Sequence, residues 1–266
     1  MAYKRLRNII IGFTLTLALA QCKIYKIQSV SSETTNTYTP TLVINSILAG
    51  HQYEGSDSDK LARIEITGKI KSIPQWAFAI VPTLEEVKLA TSVKFLDDNA
   101  FFSCKKLKKI NLNNVESIGE NCFKFSVLED VNLKKARIIK EFAFSNCSYL
   151  KRIKFSENLK VIGEFAFSGD TALVTCHIPS GEIEASAFMG CSHLKQITFG
   201  KVVAIGNAAF LDCNSLSSLV IPSSVKRIGN EAFAGCTNLK EVTVSNRDTQ
   251  IAENAFAKDV IITYKK

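Results

Sequence analysis

Three histidines, eight cysteines and a few lysine clusters are the residues of this 266-residue chain whose types could do chemistry. A nucleophilic site needs a thiol or hydroxyl, a base beside it, and a group that orients the base. His51, His177 and His193 are the candidate bases. Cys176 and His177 are adjacent, and neighbours in a strand point to opposite faces. Cys191 and His193 are close in sequence, but Cys191 belongs to a column with Cys104, Cys147, Cys213 and Cys236. Each of these five stands three residues after a recurring Phe, and such a column is expected to face a core as small apolar groups. There is no paired-Cys metal spacing, no H-E-x-x-H, no phosphate loop and no G-x-S-x-G. Three metal ligands do not converge on His177 or His193. The expectation is a protein that is not an enzyme and holds no metal or cofactor.

Two other chemistries need weighing. Eight cysteines in an exported chain would suggest disulfides. The register argues against them, because side chains stacked in a parallel column lie alongside one another in poor geometry for bonding. Cys122 replaces a motif Ala and Cys176 a strand Ile, so all seven cysteines beyond Cys22 are expected as buried thiols. Lys105-Lys106 with Lys108-Lys109, and Lys151-Arg152 with Lys154, could attract a glycosaminoglycan, a lipid headgroup or a nucleic acid. Glu129 and Asp130 interleave with them, which favours an ordinary solvated surface. The net charge of +8 includes +3 from Lys4, Arg5 and Arg7, leaving +5 for the rest. That weakens a nucleic-acid reading. At 46% apolar and 22% charged residues, the chain is neither disordered nor a multi-span membrane protein.

The element that must position all of these is a repeat. A Phe recurs at 78, 101, 123, 144, 167, 188, 210, 233 and 256, at intervals of 21–23 residues. Ala precedes it in every copy except Cys122-Phe123. An Ile or Leu stands five residues before it, from Ile73 to Ile251, and a Leu six residues after it in most copies, as at Leu107, Leu150 and Leu194. Leu-x-x-Ile-x-Leu has the two-residue period of a strand. The rest of each copy is too short for a long helix, so one strand plus one helical or 3₁₀ turn is expected per coil. Each coil offers six or seven inward apolar side chains, contributing roughly 10–20 kcal/mol gross. Ordering about 22 residues costs about 1–2 kcal/mol each, so a coil is stable only when neighbours cover it.

Ile228-Gly229 to Val244 and Ile205-Gly206 to Pro222 resemble the repeat of the BspA-like, or Treponema-type, leucine-rich repeat family. Its pattern reads approximately I-G-x-x-A-F-x-x-C-x-x-L-x-x-I-x-L-P, and the resemblance covers about 61–266. It implies a right-handed α/β solenoid with a concave parallel sheet and short helical or 3₁₀ convex turns. It also implies a bacterial surface or periplasmic protein, in some cases an adhesin for host matrix proteins.

The amino terminus reads as an address. A basic stretch precedes the apolar run Ile9 to Ala20, which is shorter than the roughly 20 residues that span a bilayer. Leu19-Ala20-Gln21-Cys22 resembles a bacterial lipobox, which implies a lipid on the Cys22 thiol; Gln21 departs from the usual small residue there. Plain secretion and an uncleaved anchor are the alternatives. The expected organisation is a signal peptide over 1–21 and a lipidated, flexible Ser/Thr-rich tether over 22–40. An amino-terminal cap with the first strand follows over 41–67, then the solenoid over 68–258 and a carboxyl-terminal strand and cap over 259–266.

Residues flanking the strand Ile face outward. One outward column reads Arg63, Glu86, Lys109, Asp130, Arg152, Thr175, Gln196, Ser218, Glu241. Its first five members alternate in sign and should pair across the ladder. The other column runs from Glu65 and Lys88 to Val220 and Thr243. Both lose formal charge at Thr175, His177, Gln196, Thr198, Ser218 and Val220. These six form the expected partner-binding patch, since low charge suits the centre of a protein interface. The function expected is a lipid-anchored interaction or adhesion module with a protein partner, such as a host matrix component, and no nucleic acid. The chain would face either the outer-membrane surface or the periplasm. The alternative is a periplasmic scaffold or a receptor for a small apolar ligand.

Overall fold

The computed structural model describes residues 26–27, 41–44 and 60–265. They form a solenoid of parallel strands, two strand sites per coil. The first site carries the outward columns. Thr41–Ile44, Arg63–Ile66, Glu86–Lys88 and Lys109–Ile110 make one parallel ladder there. Asp130–Asn132 with Arg152–Lys154 makes a second, and Ser218–Ile221, Glu241–Val244 and Ile261–Tyr264 a third. The second site makes a nine-stranded sheet from Ser72–Ile73 to Gln250–Ile251. Thr175–Ile183 and Gln196–Ile205 run through both sites without interruption. Ahead of the expected first strand, Lys26–Ile27 pairs antiparallel with Thr41–Ile44, so the segment expected as a tether contributes a strand.

The core is continuous. All nine motif Phe rings are buried and stack coil upon coil, with centroids 5.0–5.5 Å apart and planes within 3–22°. The Leu, Ile, Ala and Cys columns complete the same cluster.

The turn around each Phe is not a helix. Among the described residues there is no α- or 3₁₀ helix, which corrects the expected helical convex turns. The reason is local. In the eight turns from Phe78 to Phe233, the residue two before the Phe and the residue two after it both have positive φ. All thirteen positive-φ non-glycine residues fall at these places, from Trp76 to Glu231. A left-handed residue interrupts a right-handed helix, so the chain forms linked turns instead. Their polar groups are satisfied in two ways. The N–H groups at the Phe and two residues either side donate to the next coil, as Phe142 N–H to Glu164 O (2.9 Å), Phe144 N–H to Ala166 O (2.8 Å) and Asn146 N–H to Ser168 O (2.7 Å). The intervening N–H groups donate back three residues, as Ala143 to Lys140 O.

Coils this close need glycine where backbones touch. A Cβ on Gly206 would lie 2.6 Å from the carbonyl carbon of Glu184, and one on Gly163 would lie 2.7 Å from that of Lys140. That is the physical content of the Ile-Gly pair in the repeat.

Candidate functional site

On the first strand site the outward columns stand in register. Arg63 faces Glu86, which faces Lys109; Asp130 faces Arg152; Thr175 faces Gln196; His177 faces Thr198. Charges pair along these rungs, with Arg63–Glu86 at 3.2 Å, Glu65–Lys88 at 2.8 Å and Asp130–Arg152 at 2.6 Å. Thr175, His177, Gln196, Thr198, Ser218 and Val220 are all exposed, Val220 by 57%. The structure divides them. The first four sit on the paired strands Thr175–Ile183 and Gln196–Ile205, whereas Ser218 and Val220 belong to the separate three-stranded ladder.

The strand face is hollowed into a groove of about 810 Å³ between Ile110 and Thr198. Thr175, His177, Gln196 and Thr198 line its carboxyl-terminal half. Asn111, Asn132, Arg152 and Lys154 line the remainder, and half-buried Ile110 and Ile153 form part of its floor. Ser218 and Val220 lie outside this lining. His177 Nδ1 is 2.8 Å from Thr198 Oγ1, a hydrogen bond across one rung. Asn111 is committed to the backbone of the preceding coil, accepting from Leu89 N–H (2.7 Å) and donating to Leu89 O (2.9 Å).

All seven cysteines from Cys104 to Cys236 are buried free thiols. Burial pushes each thiol up, Cys104, Cys176 and Cys236 to about 12. The column thiols of Cys104, Cys147, Cys191, Cys213 and Cys236 each donate to the Phe carbonyl of the coil before, at 3.1–3.3 Å. His193 lies beside Ser192 and is exposed. No group of three His, Cys, Asp or Glu among the described residues could hold a metal ion. No helix of the described residues is long and apolar enough to cross a membrane. Cys22, His51 and the apolar run 9–20 lie outside the described residues.

Comparison with known families settles what this repeat is. The description "BspA type leucine rich repeat region (6 copies)" matches residues 52–174, 116–204 and 175–265. The chain belongs to the BspA-type leucine-rich repeat family. Solved structures similar to this BspA-type protein include a leucine-rich repeat protein from Bacteroides ovatus, 19% identical, covering 92% of this chain and 100% of that one with a TM-score of 0.33. A leucine-rich repeat protein of T. pallidum is 23% identical over 85% of this chain and 84% of that one, with a TM-score of 0.39. The pneumococcal vaccine antigen PcpA is 18% identical over 89% and 77%, with a TM-score of 0.41. No curated protein matches the chain.

Two features of this BspA-type chain were not singled out from sequence. Asp170 occupies the cysteine column, three residues after Phe167, and is fully buried. Its Oδ1 accepts from Cys147 N–H at 2.8 Å, while its Oδ2 has no partner. Burial drives its carboxyl far above the usual carboxylate range, more strongly than the Cys147 N–H lowers it. A protonated Oδ2 can donate, as the thiols in the same column do. The second feature is a set of aromatic side chains on the Phe turns. Trp76, Phe125, Phe142 and Phe165 occupy left-handed positions that other coils fill with Asn99, Asn121, Asn146 or Gly169. A bulky residue there costs roughly 1–2 kcal/mol.

Proposed function

We propose that this solenoid is a protein-interaction module whose strand face receives its partner in the groove ending at Thr198. The groove itself carries the reading. It is an open depression that crosses three successive ladders of the strand face, polar at its rims and apolar at Ile110 and Ile153. Charged rungs on its amino-terminal side satisfy one another, which leaves the weakly polar rungs at Thr175–Gln196 and His177–Thr198 as the surface most cheaply stripped of water. In this reading Cys22 carries a lipid, the module is exported and membrane-tethered, and it acts in adhesion, with a host matrix protein as one partner. No catalysis is assigned to it.

Thr198→Arg is expected to weaken partner binding while the unfolding midpoint stays unchanged. Full binding by that variant would move the interface off the groove. Val220→Arg, outside the groove lining, measures how far the interface extends. Cys22→Ala should leave a folded chain that no longer partitions into detergent. Protease shaving of intact cells should remove the body without lysis.

The volume of the depression favours one second reading. About 810 Å³ lies within the range of small-molecule sites, and half-buried Ile110 and Ile153 would suit an apolar ligand. Protection of the body from shaving, with ligand binding abolished by Ile153→Lys, would favour a periplasmic receptor.

A further inference from the structure

The Phe-turn face carries a strip of aromatic rings that neither the core nor the strand face uses. Trp76 meets Phe102 edge-on (5.9 Å between centroids), and Phe102 meets Phe125 likewise (6.1 Å). Further along, Phe142 and Phe165 stack at 4.9 Å with planes 2° apart. Phe125 is 41% exposed and the other four are half-buried. The backbone does not call for rings here, because four of the five stand at left-handed positions where Asn or Gly fits without strain.

A row of carboxylates runs beside the strip. Glu120, Glu141 and Glu164 occupy the same place in successive coils, as their carbonyls show by accepting in turn from Asn99, Asn121 and Phe142. In the next coil Ala185 takes that place, but the side chain of the preceding Glu184 reaches the row and accepts from Glu164 N–H at 3.2 Å. On the strand face opposite charges alternate; here like charges repeat, and none of the four is in an ion pair among the described residues. Partial burial raises the Glu141 carboxyl first, and Glu120, Glu164 and Glu184 then raise it further. Like charges stacked one coil apart are unfavourable unless a cation relieves them.

The protein supplies one such cation itself. Lys124 Nζ lies 4.2 Å from the centroid of Phe142 and 5.6 Å from that of Phe125. Its charge also lowers the Glu141 carboxyl. An ammonium group on an aromatic face beside a carboxylate shows what chemistry the strip accepts. Among the described residues no lysine or arginine lies over the Phe165 ring, which stacks on Phe142 beyond it.

We propose that the Phe-turn face binds an extended polypeptide segment rich in arginine. Its guanidinium groups would lie on the Phe142, Phe165 and Phe102 rings and pair with the Glu120–Glu184 row. Guanidinium suits both partners, since it stacks on rings and bonds carboxylates with two parallel donors. This surface is distinct from the groove, and its occupant does not depend on the function proposed for that groove.

The test uses the full chain and a short peptide of alternating arginine and serine, with the citrulline peptide as its uncharged counterpart. Titration calorimetry is expected to show binding of the arginine peptide and at least about tenfold weaker binding of the citrulline one. Phe142→Asn with Phe165→Asn should weaken the arginine peptide about tenfold. That double variant should stay folded with no loss in its unfolding midpoint, because Asn99 and Asn121 already occupy the same turn position and relieve the strain there. Lys124→Ala, which clears the Phe142 ring, should tighten binding. Thr198→Arg, on the strand face, should leave it unchanged. The proposal is overturned if the two peptides bind alike, if the folded double variant binds as the parent does, or if Lys124→Ala fails to tighten binding.

Discussion

The strand face and the Phe-turn face are built from the same chain on the same coil spacing, yet they treat repetition in opposite ways. On the strand face, register places unlike residues opposite one another, so Arg63 meets Glu86 and Asp130 meets Arg152. On the turn face, register places like upon like, with rings on rings and carboxylate beside carboxylate. Inside the core, repetition of like residues costs nothing, since apolar rings attract one another in stacked columns. At the surface the cost depends on what repeats. A face whose rungs neutralise each other is serving the fold, and one whose rungs reinforce a charge or a ring is left available for something else.

The largest effect expected in sharpening this contrast comes from the core that both faces share. Phe188→Ala should lower stability by about 3–5 kcal/mol, because Phe167 and Phe210 both lose a stacking partner. Chemical denaturation checks it, and hydrogen exchange should show the loss reaching both neighbouring coils. A local loss confined to one turn would break the picture of coupled coils.

Next comes Asp170. Its carboxyl is raised in the folded chain above its unfolded value. Its contribution to stability is therefore full below the unfolded value and is lost as pH rises through the folded one. Asp170→Asn should remove that slope and be more stable than the parent near neutral pH by about 1–3 kcal/mol. Unfolding midpoints of both chains from acid to neutral pH decide it; parallel curves would show that Asp170 is ionised in the fold.

Gly206→Ala should cost about 1–3 kcal/mol by pressing a methyl group into the Glu184 backbone. Equal stability of the variant would mean the coils can part there without loss.

The smallest effects carry the sharpest test of the contrast, because they have opposite signs. Glu86→Arg puts a cation between Arg63 and Lys109 and should lower stability by about 0.2–1 kcal/mol. Glu141→Gln removes one of four neighbouring carboxylates and should raise stability by roughly a few tenths of a kcal/mol. The same sign for both would erase the distinction between the faces.

Much of this was legible in the sequence because it is carried by columns. The Phe, Ile and Leu spacings located the buried stack, and the offset of three residues placed the cysteines inside it. The same offset would have placed Asp170 there, but Ser168-Gly169-Asp170-Thr171 has the composition of an exposed turn. Turn geometry had a signal too. Asn99, Asn121, Asn146 and Asp212, with Gly169, Gly190 and Gly235, are residue types that accept positive φ. Trp76, Phe142 and Phe165 at the equivalent positions hid it, since aromatic residues do not announce a left-handed turn. The groove was only half legible. Column reading found Thr175, His177, Gln196 and Thr198, but the groove takes in rungs of several ladders and stops short of Ser218 and Val220, a boundary no local spacing encodes.

The hydrogen bonds of the Phe turns have a further consequence. In the seven coils from Phe78 to Phe210 the three peptide units at the Phe and two residues to either side all point their N–H toward the carboxyl-terminal coils and their C=O toward the amino-terminal ones. In an ordinary sheet neighbouring units alternate and their dipoles nearly cancel. Here those of about 3.5 D each add along the stack, as they do along a helix. The Phe-turn band therefore gives the solenoid an electrically polar axis, negative toward Phe78 and positive toward Phe233, in a protein whose described residues include no helix at all. A field of that kind grows with every coil added, so lengthening such a solenoid changes its long-range electrostatics as well as its reach.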